Sequence, residues 1–160
     1  MNELVFDAAD EWATDRFGAA LAVALPVGAT VALCGTLGAG KTRLVQAIAA
    51  ACGFPREDVV SPTFVLIQQY GGQRTINHLD AYRLHDEDEF RELGVDELFN
   101  SDAITIIEWA DRVAAALPDE YLRIDIEVTG PTSRRFVAKS VGKSYAAAVE
   151  LLHGALGTKY

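Results

Sequence analysis

Apolar positions along this chain fall into two patterns. Short, nearly unbroken runs occur at residues 29–34 (Ala-Thr-Val-Ala-Leu-Cys) and 103–107 (Ala-Ile-Thr-Ile-Ile). Both read as strands buried on two faces. Elsewhere the spacing is helical. Over residues 10–25, Trp12, Phe17, Leu21 and Leu25 are expected to share one face, with Pro26 and Gly28 ending the helix. Residues 41–52 read as a second helix closed by Gly53, and 111–117 as a short helix stopped by Pro118. Residues 143–156 form a terminal helix with an alanine-rich face. Weak alternation over 64–70 and 74–78 around Gly71-Gly72 predicts a hairpin. A second is predicted from 121–128 and 134–140 around Gly130-Pro131. Strands alternating with helices predict an α/β fold in one domain spanning 1–160, and the hairpins make its sheet mixed, with helices on both faces.

Between the first buried strand and the second helix lies Gly35-Thr36-Leu37-Gly38-Ala39-Gly40-Lys41-Thr42, which fits G-x-x-x-x-G-K-[ST] at every fixed position. A glycine-rich loop there wraps a phosphate chain in backbone N–H groups. The ammonium of Lys41 reaches the β/γ-phosphates, and the hydroxyl of Thr42 ligates Mg2+. The expected fold is therefore P-loop NTPase-like, parallel around this loop, and the expected ligand is a nucleoside triphosphate with its metal.

Phosphoryl transfer also needs a carboxylate for the metal and a group that orients the attacking water or acceptor. Glu108 follows the apolar run 103–107, where an acid would emerge beside the phosphate loop. Asp80, in His78-Leu79-Asp80-Ala81-Tyr82-Arg83, either positions the nucleophile or the metal's water shell, or forms a turn. His78 alternates with Asp80 and either orients it or is a buried, satisfied histidine. Ser61-Pro62-Thr63-Phe64 reads as a rigid turn, placed where switch segments meet the γ-phosphate side. Trp109 is a core aromatic or flanks the site. Arg134 and Arg135 reach phosphates or form a solvated strand pair.

Charge narrows the possible partners. The 160 residues carry a net charge of −9, so the chain lacks the basic footprint of a lone nucleic-acid binder. Asp86, Glu87, Asp88, Glu89, Glu92, Asp96, Glu97 and Asp102 surround Arg91 alone; this stretch is a solvated face or a docking surface for a basic partner. The start of the chain has no basic region followed by a long apolar run, and no stretch approaches membrane-span length. Cys34 and Cys52 sit in apolar contexts, as buried thiols in a reducing compartment do. The expected location is cytoplasmic, with no membrane association.

Taken in order, the glycine loop, Ser61-Pro62-Thr63-Phe64, His78-x-Asp80-x-Tyr82-Arg83 and Ile107-Glu108-Trp109 resemble the bacterial TsaE (YjeE) family of small P-loop ATPases. Thr14, preceded by Asp10 and Glu11, fits that family's N-terminal segment, and the similarity covers about residues 10–128. The resemblance implies an ATPase that acts with TsaB and TsaD in making threonylcarbamoyladenosine beside the anticodon of tRNAs reading codons that begin with A. TsaD performs the transfer, and the ATPase resets or regulates the complex; tRNA is met only through it. The resemblance further implies ATP or ADP and Mg2+ as ligands. Thr42 and Glu108 would ligate the metal, and Gly35 and Leu37 to Thr42 would wrap the phosphates. Asp80 would lie by the γ-phosphate, Glu11 near the base or ribose, and Trp109 along the site. Thr36 and Arg43 depart from the family pattern, which usually has Asp and a second Thr there.

Three rivals share parts of this pattern. A small-molecule kinase would need an arginine-rich lid, and no such segment follows the loop. A GTP-dependent switch would need an N-K-x-D segment, which the chain lacks. A nucleotide-gated binding module without hydrolysis stays open.

Overall fold

The computed structural model describes residues 3–36, 38–62 and 66–157. Its centre is a seven-stranded sheet of β1 (Glu3–Ala8), β2 (Thr30–Gly35), β3 (Ile67–Tyr70), β4 (Ile76–Asp80), β5 (Ile104–Glu108), β6 (Tyr121–Val128) and β7 (Arg134–Val141). The spatial order is β1-β7-β6-β2-β5-β4-β3. β2 pairs in parallel with β5 and β6, and β4 in parallel with β5, while β1, β7 and β3 are added antiparallel. The mixed sheet expected from the hairpins is present, parallel around the loop that leaves β2.

Alternation along the central strands builds a core on each face. Val31, Leu33, Ile104 and Ile106 join one cluster with residues of α1 (Glu11–Ala24), α2 (Lys41–Ala51) and α5 (Ala146–Leu156). Ala32, Cys34, Leu79 and Ile107 join the other, with Phe90 of α3 (Glu87–Arg91), Val95 of α4 (Val95–Phe99) and Val113 of a 3₁₀ helix at Ala110–Ala116. The acidic stretch thus contains two short helices, the first capped by Asp86, which accepts from Glu89 N at 2.9 Å. No described helix is long and apolar enough to cross a membrane.

Helix α1 begins where Asp10 accepts a hydrogen bond from Ala13 N. Its buried face carries Phe17 and Leu21, with Leu25 buried just beyond, but Trp12 is 79% exposed. The expectation that Trp12 shares that face fails on phase: five residues separate Trp12 from Phe17, well over one 3.6-residue turn. The last turn of α1 has no basic residue, and its carbonyls are met from a distance. Arg74 donates to Ala22 O, Leu25 O and Pro26 O, each at 2.8 Å. The hairpin carrying Arg74 has a five-residue connection, 71–75, so its return strand begins at Ile76 rather than at residue 74. Gly72 approaches the end of α2 so closely that a Cβ there would lie 2.4 Å from Cys52 O. The expected start of the outgoing strand, including Phe64, lies outside the described residues.

Strand β1 is absent from the expectations above. Its period-two burial of Leu4, Phe6 and Ala8 is in the sequence, but its partner β7 is at the far end of the chain. Phe17 locks this edge down: its ring stacks on Phe6 at 5.6 Å and Phe136 at 4.6 Å between centroids. Cys34 and Cys52 are buried free thiols, and burial pushes Cys34 up to about 11. Phe17→Ala is expected to cost about 3–5 kcal/mol in urea denaturation by opening a cavity among these rings. A loss under about 1 kcal/mol would show that the three-ring contact does not hold the edge.

Candidate nucleotide site

The parallel register sets the site. Asp80 and Glu108 are the last residues of neighbouring strands and lie opposite one another, and Leu33, two residues before the loop, pairs with Glu108. Both carboxylates and the loop therefore emerge at the C-terminal edge of the parallel strands, where open α/β sheets bind ligands. By alternation both acids fall on the face covered by α2. A cavity of about 380 Å³ opens there, lined by Gly38 to Arg43 together with Ser61, Asp80, Tyr82, Glu108 and Trp109.

The loop is set up for an anion. Gly38 and Gly40 take φ of +78° and +101°, the left-handed region where a side chain is strained. Helix α2 opens on Gly40 with no side-chain cap, leaving its first N–H groups for a ligand. Lys41 is buried, and its ammonium donates to Gly35 O at 2.7 Å and Thr36 O at 2.8 Å. It also lies 4.0 Å from the centre of the Trp109 ring. Burial pushes this ammonium below the usual lysine range, opposed by the carboxylates of Glu108, Asp111 and Asp80. Trp109 reaches this position through a left-handed backbone, φ +58°, directly after β5. Its ring meets Tyr82 at 4.9 Å, and Arg112 stands over Tyr82 at 5.1 Å.

The two acids have different surroundings. Thr42 Oγ1 lies 2.9 and 3.2 Å from the two Glu108 oxygens. The nearer of those oxygens, Oε2, also meets His78 Nε2 at 2.5 Å. The fully buried His78 continues through Nδ1 to the Tyr70 hydroxyl at 2.8 Å, which also lies 3.2 Å from Val60 O. Asp80 accepts from Ser61 Oγ at 3.1 Å and from Tyr82 N at 2.8 Å. A hydroxyl beside a carboxylate at the mouth of a phosphate loop is a hard oxygen set that suits Mg2+, which takes one or two protein oxygens and completes its shell with phosphate and water.

The structure thus gathers Gly38, Ala39, Gly40, Lys41, Thr42, Asp80, Glu108 and Trp109 around one cavity. Gly35 ends β2, and its carbonyl holds Lys41. Leu37 and Thr63 lie outside the described residues. Glu11 lies instead on a second cavity of about 150 Å³, with Thr14, Gly40, Arg43, Pro131, Thr132, Arg134 and Phe136. His78 is bonded to Glu108 on the next strand rather than aimed at Asp80, because strand register brings residue 108 beside it. Arg134 and Arg135 are not a matched solvated pair. Arg135 bonds Asp7 at the surface, whereas Arg134 donates to Ala39 O at 2.8 Å and to Gly130 O and Ser133 O, fastening the β6–β7 turn to the loop.

Tyr70 is the site residue that sequence reasoning missed. Its only signal was an aromatic at a strand end, and its partner is eight residues away across a hairpin. Burial pushes its hydroxyl up to about 12, so it stays protonated across the physiological range and serves as a donor. Tyr70→Phe leaves a buried polar group short of a partner and is expected to cost about 1–3 kcal/mol in urea denaturation. An unchanged midpoint would show that the chain from Tyr70 to Glu108 carries no energy.

Most of the chain is similar to known proteins. The family described as "Threonylcarbamoyl adenosine biosynthesis protein TsaE" matches residues 8–137. The tRNA threonylcarbamoyladenosine biosynthesis protein TsaE of Treponema pallidum is 36% identical over 121 residues, 76% of this chain and 89% of that protein. The Bacillus subtilis protein of the same name is 39% identical over 119 residues, 74% of this chain and 73% of its own. That of Streptomyces coelicolor is 35% identical over 148 residues, 87% of this chain and 99% of its own. The crystal structure of Bacillus subtilis YdiB superposes with a TM-score of 0.79 at 28% identity, covering 95% of each chain. Fold, ordered motifs and relatives agree, and the chain belongs to the TsaE family.

Proposed function

We propose that this chain is an ATPase of the machinery that makes threonylcarbamoyladenosine in tRNA, binding ATP with Mg2+ and working with TsaB and TsaD. The observation that carries the reading is the meeting of Thr42 with Glu108 at the mouth of the glycine loop, with Asp80 paired beside Glu108. The relatives' names supply the pathway. The net charge of −9 supports a protein that meets tRNA through partners rather than by gripping its phosphates.

Each residue has a task in this reading. The N–H groups of the loop and of the first turn of α2 hold the phosphate oxygens. Lys41 leaves the carbonyls of Gly35 and Thr36, at the base of its own loop, for the β/γ-phosphates. Trp109 and Tyr82 wall this end of the cavity and limit water. Thr42 and Glu108 would hold Mg2+, which when bound neutralises charge on the phosphates. His78 and Tyr70 keep the Glu108 carboxylate turned toward Thr42. Asp80, fixed by Ser61 and the Tyr82 amide, accepts a hydrogen bond from the water that attacks the γ-phosphorus, aligning it opposite the leaving ADP oxygen. Partners complete this geometry, so turnover by the isolated chain is slow.

The test is ATP hydrolysis by the purified chain, alone and with TsaB and TsaD. The pair is expected to raise kcat at least tenfold. Asp80→Ala is expected to lower kcat by about 100-fold or more while changing ATP affinity less than threefold. Failure of the pair to stimulate, or wild-type turnover by Asp80→Ala in the complex, would overturn the proposal.

A further inference from the structure

The two cavities share two lining residues, Gly40 and Arg43. Lys41, Thr42, Asp80 and Glu108 lie on the first cavity, the terminal-phosphate end. Glu11, Thr14, Thr132 and Phe136 lie on the second. A nucleotide that occupies both must cross the shared wall, and the group that crosses it is the phosphate joined to the ribose.

Arg43 lines both cavities, and Arg134 stands over the same wall, since a Cβ built on Gly40 would lie 3.5 Å from its Nε. Arg134 is committed to three carbonyls. Arg43 is not. Its Nη1 lies 2.8 Å from Asp15 Oδ1, yet it makes no hydrogen bond, and it is the one buried side-chain nitrogen or oxygen without one among the described residues. The same Asp15 oxygen accepts instead from Arg56 at 3.0 Å. Burial works to raise the Asp15 carboxyl, but the two guanidiniums hold it below the usual carboxylate range. One carboxylate thus faces two guanidiniums. Turning Arg43 away from Asp15 exchanges this one ion pair for a phosphate and leaves Asp15 paired with Arg56.

The geometry points to Arg43 as a nucleotide-binding residue of this chain, which turns from Asp15 to grip the ribose-proximal phosphate of a bound nucleoside di- or triphosphate. The inference rests on the nucleotide reading above and adds a contact to it.

Calorimetric titration of the intact chain with Mg-ADP and Mg-ATP tests it. Because both ligands carry this phosphate, Arg43→Ala is expected to weaken both by the same factor, about tenfold, and Arg43→Lys is expected to recover part of the loss. Asp15→Ala frees the guanidinium, so ADP is expected to bind at least as tightly as to wild type. The inference is overturned if Arg43→Ala binds ADP like wild type or if the loss is confined to ATP. It is overturned equally if Asp15→Ala weakens ADP as much as Arg43→Ala does, since the ion pair would then matter only as structure. A wild-type chain that binds neither ADP nor ATP would overturn the nucleotide reading itself.

Discussion

The parallel pairing of β2, β5 and β4 is the constraint on which the rest depends. In a parallel pair, strand ends of like polarity lie side by side, so one register decides which residues emerge together. Here it sets Asp80 opposite Glu108 and brings both beside the loop that follows Gly35. The strands are buried on both faces, so a one-residue slip of β2 would turn Val31 and Leu33 away from the α1–α2 layer, and a slip of β4 or β5 would swing its acid to the other side. The energy that fixes the site is therefore hydrophobic and comes from the two cores, not from the polar groups that meet in the cavity.

Those polar groups are held in place by one another. Lys41 is tied to the base of its own loop, Thr42 to Glu108, Glu108 to His78, His78 to Tyr70, and Asp80 to Ser61 and the Tyr82 amide. Each bond keeps a buried polar side chain from being orphaned, the condition for keeping so many of them in one place. Several of these bonds point at the groups a phosphate or a metal would touch. The protein's own oxygens thus occupy positions that a ligand's oxygens would take, and binding becomes an exchange of partners rather than an uncompensated desolvation.

What was legible in the sequence was what depends on neighbours in the chain. The glycine loop is eight consecutive residues, and its strand–loop–helix setting is equally local. Glu108 and Asp80 could be picked out because each ends a strand or follows one. Three features were hidden because their partners are distant. β1 became a strand only by pairing with β7, at the other end of the chain. Tyr70 joined the site through His78, and His78 through Glu108 on a neighbouring strand. Trp12 was misplaced for another reason: apolar identity was counted where helical phase leaves it in solvent. Arg134 and Arg135 look alike in sequence, and strand alternation alone separates a loop clamp from a surface ion pair.

The central claim is that Thr42 and Glu108 form one oxygen site for the metal that accompanies the nucleotide. Its most direct measurement is the affinity of the chain for ATP with and without Mg2+, compared between wild type and Glu108→Gln. The account predicts that wild type binds ATP more tightly when Mg2+ is present and that Glu108→Gln, folded and stable, loses that dependence while still binding ATP through the loop. Equal dependence on Mg2+ in the two proteins would contradict it and place the metal elsewhere.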